Sequence, residues 1–242
     1  QQQRQQQQQQ RQSSSSSRRG GPSPSGRTSS GAPSRHGPPG GIDPKHLGLP
    51  VVLVPRVTQG ALAYDNSRRL FAEGRYVHLA EAAPEGSSSY ELEVCPQGRA
   101  PLLFRVVSEI RADDERYWHR LAAVVVLGKK WQLSRYRWSD PVQLFQKALG
   151  VYFRYNDEAS AELVKQWDVK TMVLGRQHRT NDAVVRSEFW EEVVRFLAQR
   201  KPRLLAFAER AAEKKRSSGG GGGGGTGTGT TSPGTAVGLV AS

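Results

Sequence analysis

The apolar positions between residues 49 and 200 change period several times, and each change marks an element. "LPVVLVP", Leu49 to Pro55, is a continuous apolar run bounded by prolines, the pattern of a strand buried on both faces. "DNSRRLFAEG", Asp65 to Gly74, reads as a short helix with an Asp or Asn cap and a terminating glycine. "YELEV" (90–94) and "LLFRVV" (102–107) flank the turn-like "CPQGRAP" and predict two paired strands. "ADDERYWHRL", Ala112 to Leu121, opens on acids that suit a helix amino end and runs directly into the strand "AAVVVL", 122–127. Asp140 caps the next helix, with Pro141 at its first position, Val142, Phe145 and Leu149 on one face and Gly150 closing it. "VYFRY" (151–155) and "VKTMVL" (169–174) are strands. The last predicted helix starts near Asp182, places Val185, Phe189, Val193, Phe196 and Arg200 on one stripe, and stops before Pro202.

Strands that alternate with helices after an early strand pair argue for an α/β three-layer sandwich. The sheet is expected to be mainly parallel with one antiparallel edge. The order is also that of the small GTPases, a Ras-like arrangement, although topology alone confers no activity.

Composition confines this domain to the middle of the chain. Residues 1–41 are almost wholly Gln, Arg, Ser, Gly and Pro, and from Ser217 the chain is a glycine, threonine and serine run. Neither segment has the apolar surface to offset its ordering entropy. The expected division is a disordered tail over 1–47, one Ras-like domain over 48–207 and a second disordered tail over 208–242. The chain opens within a glutamine run and not on methionine, as expected of the carboxy-terminal part of a longer protein.

The formal charge of +13 suggests nucleic acid until it is divided. Of 35 bases and 22 acids, seven and one fall in residues 1–47 and four and two in 207–242, which leaves 24 and 19 in the core. Much of the excess therefore lies in the tails, where it attracts polyanions without specifying a site. No apolar run reaches the ~18 residues of a membrane-spanning helix, and no membrane partner is expected. Cys95 is the single cysteine, which rules out an intrachain disulfide and a cysteine-built metal centre.

Nucleotide chemistry fails on its motifs. A phosphate loop needs G-x-x-x-x-G-K-[ST], whereas the segment after the first strand is "RVTQGALAYDNS", with one glycine and no lysine. The core holds no Asp-x-x-Gly and no Asn-Lys-x-Asp, and Gly128-Lys129-Lys130 lacks both the spaced glycine and the hydroxyl. The histidines, at 36, 46, 78, 119 and 178, form no HExxH, and there is no GxSxG. His119 and His178 read as surface or helix-end residues. No catalytic residue, cofactor or metal is expected, and the chain is not expected to be an enzyme.

One stretch keeps a binding signal. In "GKKWQLSRYRW" the cations Lys129, Lys130, Arg135 and Arg137 are interleaved with Trp131, Tyr136 and Trp138, a mix that clamps anions while aromatics stack on flat groups. The competing reading has the tryptophans packed over the sheet edge and the cations as a solvated rim. A second cluster, "GRQHRTND" (175–182), follows the last strand, and segments after strand carboxyl ends converge where ligands bind in such sheets. The expected site is one anion-accepting surface made by Lys129, Lys130, Arg135, Arg137, Arg176 and Arg179, with Trp131 and Trp138 beside it.

The two long pieces "RYWHRLAAVVVLGKKWQLSRYRWSDPVQLFQKALGVYFRYND" and "KQWDVKTMVLGRQHRTNDAVVRSEFWEEVVRFL" resemble the carboxy-terminal domain of the parafibromin family, a subunit of the RNA polymerase II-associated factor complex. The likeness rests on the strand ending in Gly128, on Trp131, Gln132 and Trp138 as W-Q-x5-W, on "LFQKALG", on Lys165 to Val169 and on "FW" at 189–190. "VVLVP" fits the family's opening strand. The resemblance implies a GTPase-like fold that has lost nucleotide binding, in a nuclear protein of transcription elongation that helps hold the complex on chromatin. The expected partners are other subunits of that complex, RNA polymerase II and elongation-factor phosphorylated tails, and chromatin. The alternative is a nucleic-acid-binding chromatin anchor that uses the basic aromatic loop and the basic tails.

Overall fold

The computed structural model describes residues 43–177 and 179–219. Most of the two expected tails, and His178, lie outside the described residues. The described chain forms a six-stranded sheet in the order β2-β3-β1-β4-β5-β6. The strands are β1 (Val51–Leu53), β2 (Ser89–Val94), β3 (Leu102–Val107), β4 (Leu121–Val126), β5 (Leu149–Tyr155) and β6 (Val169–Leu174). All pairings are parallel except β2 with β3, so the antiparallel member is the edge strand. This strand order, with helices on both faces, is the Ras-like α/β sandwich expected of the sequence.

Helices α1 (Tyr64–Glu73), α5 (Asp182–Arg200) and α6 (Pro202–Gly219) cover one face of the sheet. Helices α2 (Glu115–Arg120), α3 (Lys130–Leu133) and α4 (Pro141–Lys147) cover the other. Alternation along the strands divides the core. Val52, Val125 and Phe153 join the first layer, and Val51, Leu53, Val124 and Val126 join the second. Every residue of β1 and β4 is buried, which accounts for their continuous apolar runs.

The first layer centres on Phe71, Phe104, Phe189 and Trp190, with Phe71 and Phe189 stacked at 4.4 Å. Trp190 Nε1 donates to the Phe71 carbonyl at 3.1 Å, so a buried indole satisfies its one donor. Across the same interface the Asp182 carboxylate accepts from the Tyr76 N–H at 2.8 Å and ties the start of α5 to the segment after α1.

Four expectations are corrected. Gly150 does not close α4. The helix ends at Lys147, and Gly150 lies in β5, where an added Cβ would stand 2.5 Å from Val169 and 2.7 Å from Phe145. The buried face of α4 is Leu144 and Phe145, Val142 is exposed, and Leu149 belongs to β5. On α5 the buried stripe includes Trp190, Val194 and Leu197, and Arg200 is exposed, because the helix meets both the sheet and α6. Residues 208–219, placed in the tail by composition, continue α6, and Ala208 and Ala212 are fully buried. Pro202 ends α5 as expected but also starts α6, since proline suits a first helical turn.

Candidate docking site at the strand carboxyl ends

The carboxyl ends of β1, β4 and β5 open into two adjoining pockets of about 540 and 550 Å³. Both are lined by Val57–Gly60 and by Glu158. The loop from Arg56 to Leu62 joins β1 to α1, the place where a phosphate loop would sit in this topology. Here the amino end of α1 is closed by the protein itself. The Tyr64 N–H donates to the Pro55 carbonyl at 3.0 Å and the Ala63 N–H to the Asn66 side chain at 2.8 Å. Asn66 also donates to the Ala61 and Val77 carbonyls, which fixes the loop from within. The first turn carries Asp65, whose carboxylate accepts from the Glu85 N–H at 3.0 Å and pairs with Arg56 at 3.3 Å. A carboxylate at that turn repels phosphate where a P-loop would attract it.

The basic aromatic stretch begins at a tight strand exit. Gly128 has φ +68, and a Cβ there would stand 2.6 Å from Ala161, so the position requires glycine. Gln132 then sets the turn. Its Oε1 accepts from the Leu127 N–H at 2.8 Å, and its Nε2 donates to the Val125 carbonyl at 2.8 Å and to the Tyr136 hydroxyl at 2.9 Å. Buried Gln132 and Leu133 anchor α3, and the opposite side presents Lys129, Lys130 and Trp131. Trp131 is 54% exposed and, with Lys129, lines the first of these pockets over Tyr152 and Phe153. Among the described residues, Lys129, Lys130 and Arg135 take part in no ion pair, and all three are exposed.

The rest of the stretch leaves this edge. Arg137 Nη2 donates to Glu115 Oε1 at 2.7 Å, which holds that carboxyl below its usual range. Trp138 meets buried Trp118 edge-on at 5.5 Å. Glu115 lies beside His46, which precedes β1, so this pair sits toward the amino ends of the strands. The single six-cation surface is therefore corrected: Arg137 is on another part of the molecule, and Trp138 packs on the second core layer. The two tryptophans divide, one exposed at the pocket and one built into the fold.

The second cluster reaches the same edge but is largely neutralised. Arg176 lines the second pocket and pairs with Asp157 at 2.8 Å and Glu158 at 2.5 Å, with its guanidinium 3.8 Å above the Tyr155 ring. Arg179 packs 4.7 Å over the Tyr76 ring. Tyr76 and Tyr155 share a 2.6 Å hydroxyl contact, and burial followed by that bond raises the Tyr76 phenol well above its ordinary value. Of the six predicted cations, Lys129, Lys130 and Arg135 are thus the exposed ones without a carboxylate partner among the described residues, and Lys129 lines a pocket with Trp131.

Sequence reasoning missed Gln132 as the residue that orients this patch. His119, read as a surface or helix-end residue, does lie in the last turn of α2, half-buried, but the sequence did not indicate its contact with His46, whose ring is 4.7 Å away. Burial, with His46 as the next contribution, lowers its pKa.

A family model described as "RNA pol II accessory factor, Cdc73 family, C-terminal" matches residues 47–196. The chain is 29% identical over 154 residues to "Cell division control protein 73" of Saccharomyces cerevisiae, covering 62% of this chain and 39% of the relative. It is 28% identical over 172 residues to "Protein CDC73 homolog" of Arabidopsis thaliana, covering 63% and 39%. The chain thus spans about two fifths of the length of these relatives. A solved structure described as "The conserved domain of yeast Cdc73" superposes with a TM-score of 0.58 at 27% identity, covering 63% of this chain and 98% of that one. Because the family model takes in more than half of its 242 residues, the chain belongs to the Cdc73 family of RNA polymerase II accessory factors.

Proposed function

We propose that this domain is a non-enzymatic docking module of the RNA polymerase II-associated factor complex, acting in the nucleus during transcription elongation. It binds an acidic or phosphorylated tail of the elongation machinery and so helps hold the complex on chromatin. The observation that carries this reading is Lys129 and exposed Trp131 lining the first pocket, with Lys130 and Arg135 exposed on the same short stretch. Open cations give charge-assisted bonds to phosphate, and a half-exposed indole offers a stacking face and an apolar anchor. The closed amino end of α1 favours docking over nucleotide chemistry.

The test is binding of the full chain to matched phosphorylated and unphosphorylated polymerase tail peptides and to a mixed-sequence duplex, titrated against salt. Preference for the phosphopeptide, lost in the triple variant Lys129→Glu, Lys130→Glu, Arg135→Glu, supports the reading. Equal or tighter binding to the duplex with a steep salt slope overturns it in favour of a nucleic-acid anchor.

A further inference from the structure

A cluster on the opposite side of the molecule has no part in the docking site. His46 ends a 3-10 turn, Pro44–His46, that leads into β1, and Glu115 and His119 lie on α2. Four residues apart on a helix, Glu115 and His119 project from one face. His46 stacks against the second of them, with ring centroids at 4.7 Å and planes at 33°. The candidate donor atoms of the three residues all lie within 4.8 Å of one another. His46 Nδ1 is buried and has no hydrogen-bond partner among the described residues. An orphaned imidazole nitrogen beside a second imidazole and a carboxylate is unfavourable unless something binds it.

We propose that His46, Glu115 and His119 form a three-ligand site for a divalent first-row transition cation, with zinc as the ion that fits best. Two imidazoles and one carboxylate are a donor set that zinc accepts with one position left open, and the imidazoles disfavour magnesium and calcium. In a tetrahedral site, donor atoms ~2.0–2.1 Å from zinc stand ~3.3–3.4 Å apart, so the cluster closes by side-chain rotations that draw the donors together by up to ~1.5 Å. The supporting contacts are in place. Arg137 occupies only Oε1 of Glu115, leaving Oε2 for the ion, and this gives Arg137 the orienting role that partners of ligating carboxylates commonly have. Asp43 caps the 3-10 turn and so fixes His46, while Trp118, fully buried, fixes α2. Positive charge nearby limits the affinity: Lys201 Nζ donates to the His119 carbonyl at 3.2 Å. The bound ion would staple the segment entering the domain onto α2.

The test is zinc retention by the 242-residue chain in competition with a chromophoric chelator, together with the visible spectrum of the cobalt-loaded protein. The expected result is one ion per chain, with affinity reduced about 100-fold in His46→Ala and in His119→Ala, reduced about 10-fold or more in Glu115→Gln, and unchanged in Cys95→Ser. Cobalt should give a visible band of four- or five-coordinate type in the parent and none in His46→Ala. Since His46 stands at the entry to the domain and outside its core, that variant should keep its thermal transition without metal, which separates loss of the site from loss of the fold. Failure to retain zinc at micromolar concentration overturns the site, as does retention that both histidine substitutions leave unchanged.

Discussion

Arg137 donates to Glu115 across 2.7 Å, and this pair takes one of the chain's most conspicuous cations away from the basic patch to which its sequence position assigns it. With Trp138 packed edge-on against Trp118, the segment after α3 is drawn over the second core layer. What stays at the strand carboxyl ends is Lys129 to Trp131. Arg137→Ala should therefore leave the affinity for an acidic or phosphorylated peptide within about twofold, because the ion pair it loses is exposed and weak. Lys129→Glu with Lys130→Glu should reduce it about tenfold or more, since each charge-assisted bond contributes roughly 1.5–3 kcal/mol. Fluorescence anisotropy on one labelled peptide checks both.

Gln132 spends both ends of its amide on the turn that presents Trp131. Gln132→Ala should strand the Leu127 N–H and the Val125 carbonyl and cost about 2–3 kcal/mol, with weaker peptide binding as a second effect. Urea unfolding of the parent and the variant reads the first, and the same anisotropy titration reads the second.

Gly150 accommodates Val169 on one side and the Phe145 ring on the other. A methyl at this position should overpack the contact between α4 and the sheet, so that Gly150→Ala costs about 1–3 kcal/mol. A midpoint in denaturant equal to that of the parent would contradict the close approach.

Helix α6 belongs to the folded unit. A chain ending at residue 207 should be less stable than one ending at 219 by about 2 kcal/mol, or ~4–8 °C in Tm, since it loses buried Ala208 and Ala212. Calorimetry of the two truncated chains decides it.

Lys201 is buried at the junction of α5 and α6, with Nζ donating to the Leu121 carbonyl at 2.7 Å, and burial pushes its pKa down to about 7. The folded value is below the unfolded one, so between about pH 7 and pH 10 the unfolded chain binds more protons and stability rises with pH. Below about pH 7 both states are protonated and the contribution is constant. In chelator-treated protein the stability should rise by up to ~3 kcal/mol from pH 7 to 9.5, and Lys201→Met should flatten that rise. Unfolding curves at the two pH values measure it.

The sequence by itself determined the layers, the order of elements along the chain and a mainly parallel sheet with one antiparallel edge. Buried strands such as β1 and β4 write an unbroken apolar run, and caps such as Asp140-Pro141 write a helix start, because both signals come from neighbours in the chain. It determined as well the absence of a phosphate-loop motif after β1, and the residues by which the family is recognised.

Only the tertiary structure decided how the basic stretch divides. Whether a cation stays open depends on a carboxylate distant in sequence, as Glu115 does for Arg137 and Asp157 and Glu158 do for Arg176. It also decided the fate of Gly150, which reads as a helix stop but serves a contact between Phe145 and Val169, and of the second half of α6, whose alanines look like a linker until β3 and α5 bury them. Local composition carries propensity, whereas burial, ion pairing and the meeting of His46 with His119 follow from which distant segments the sheet brings together.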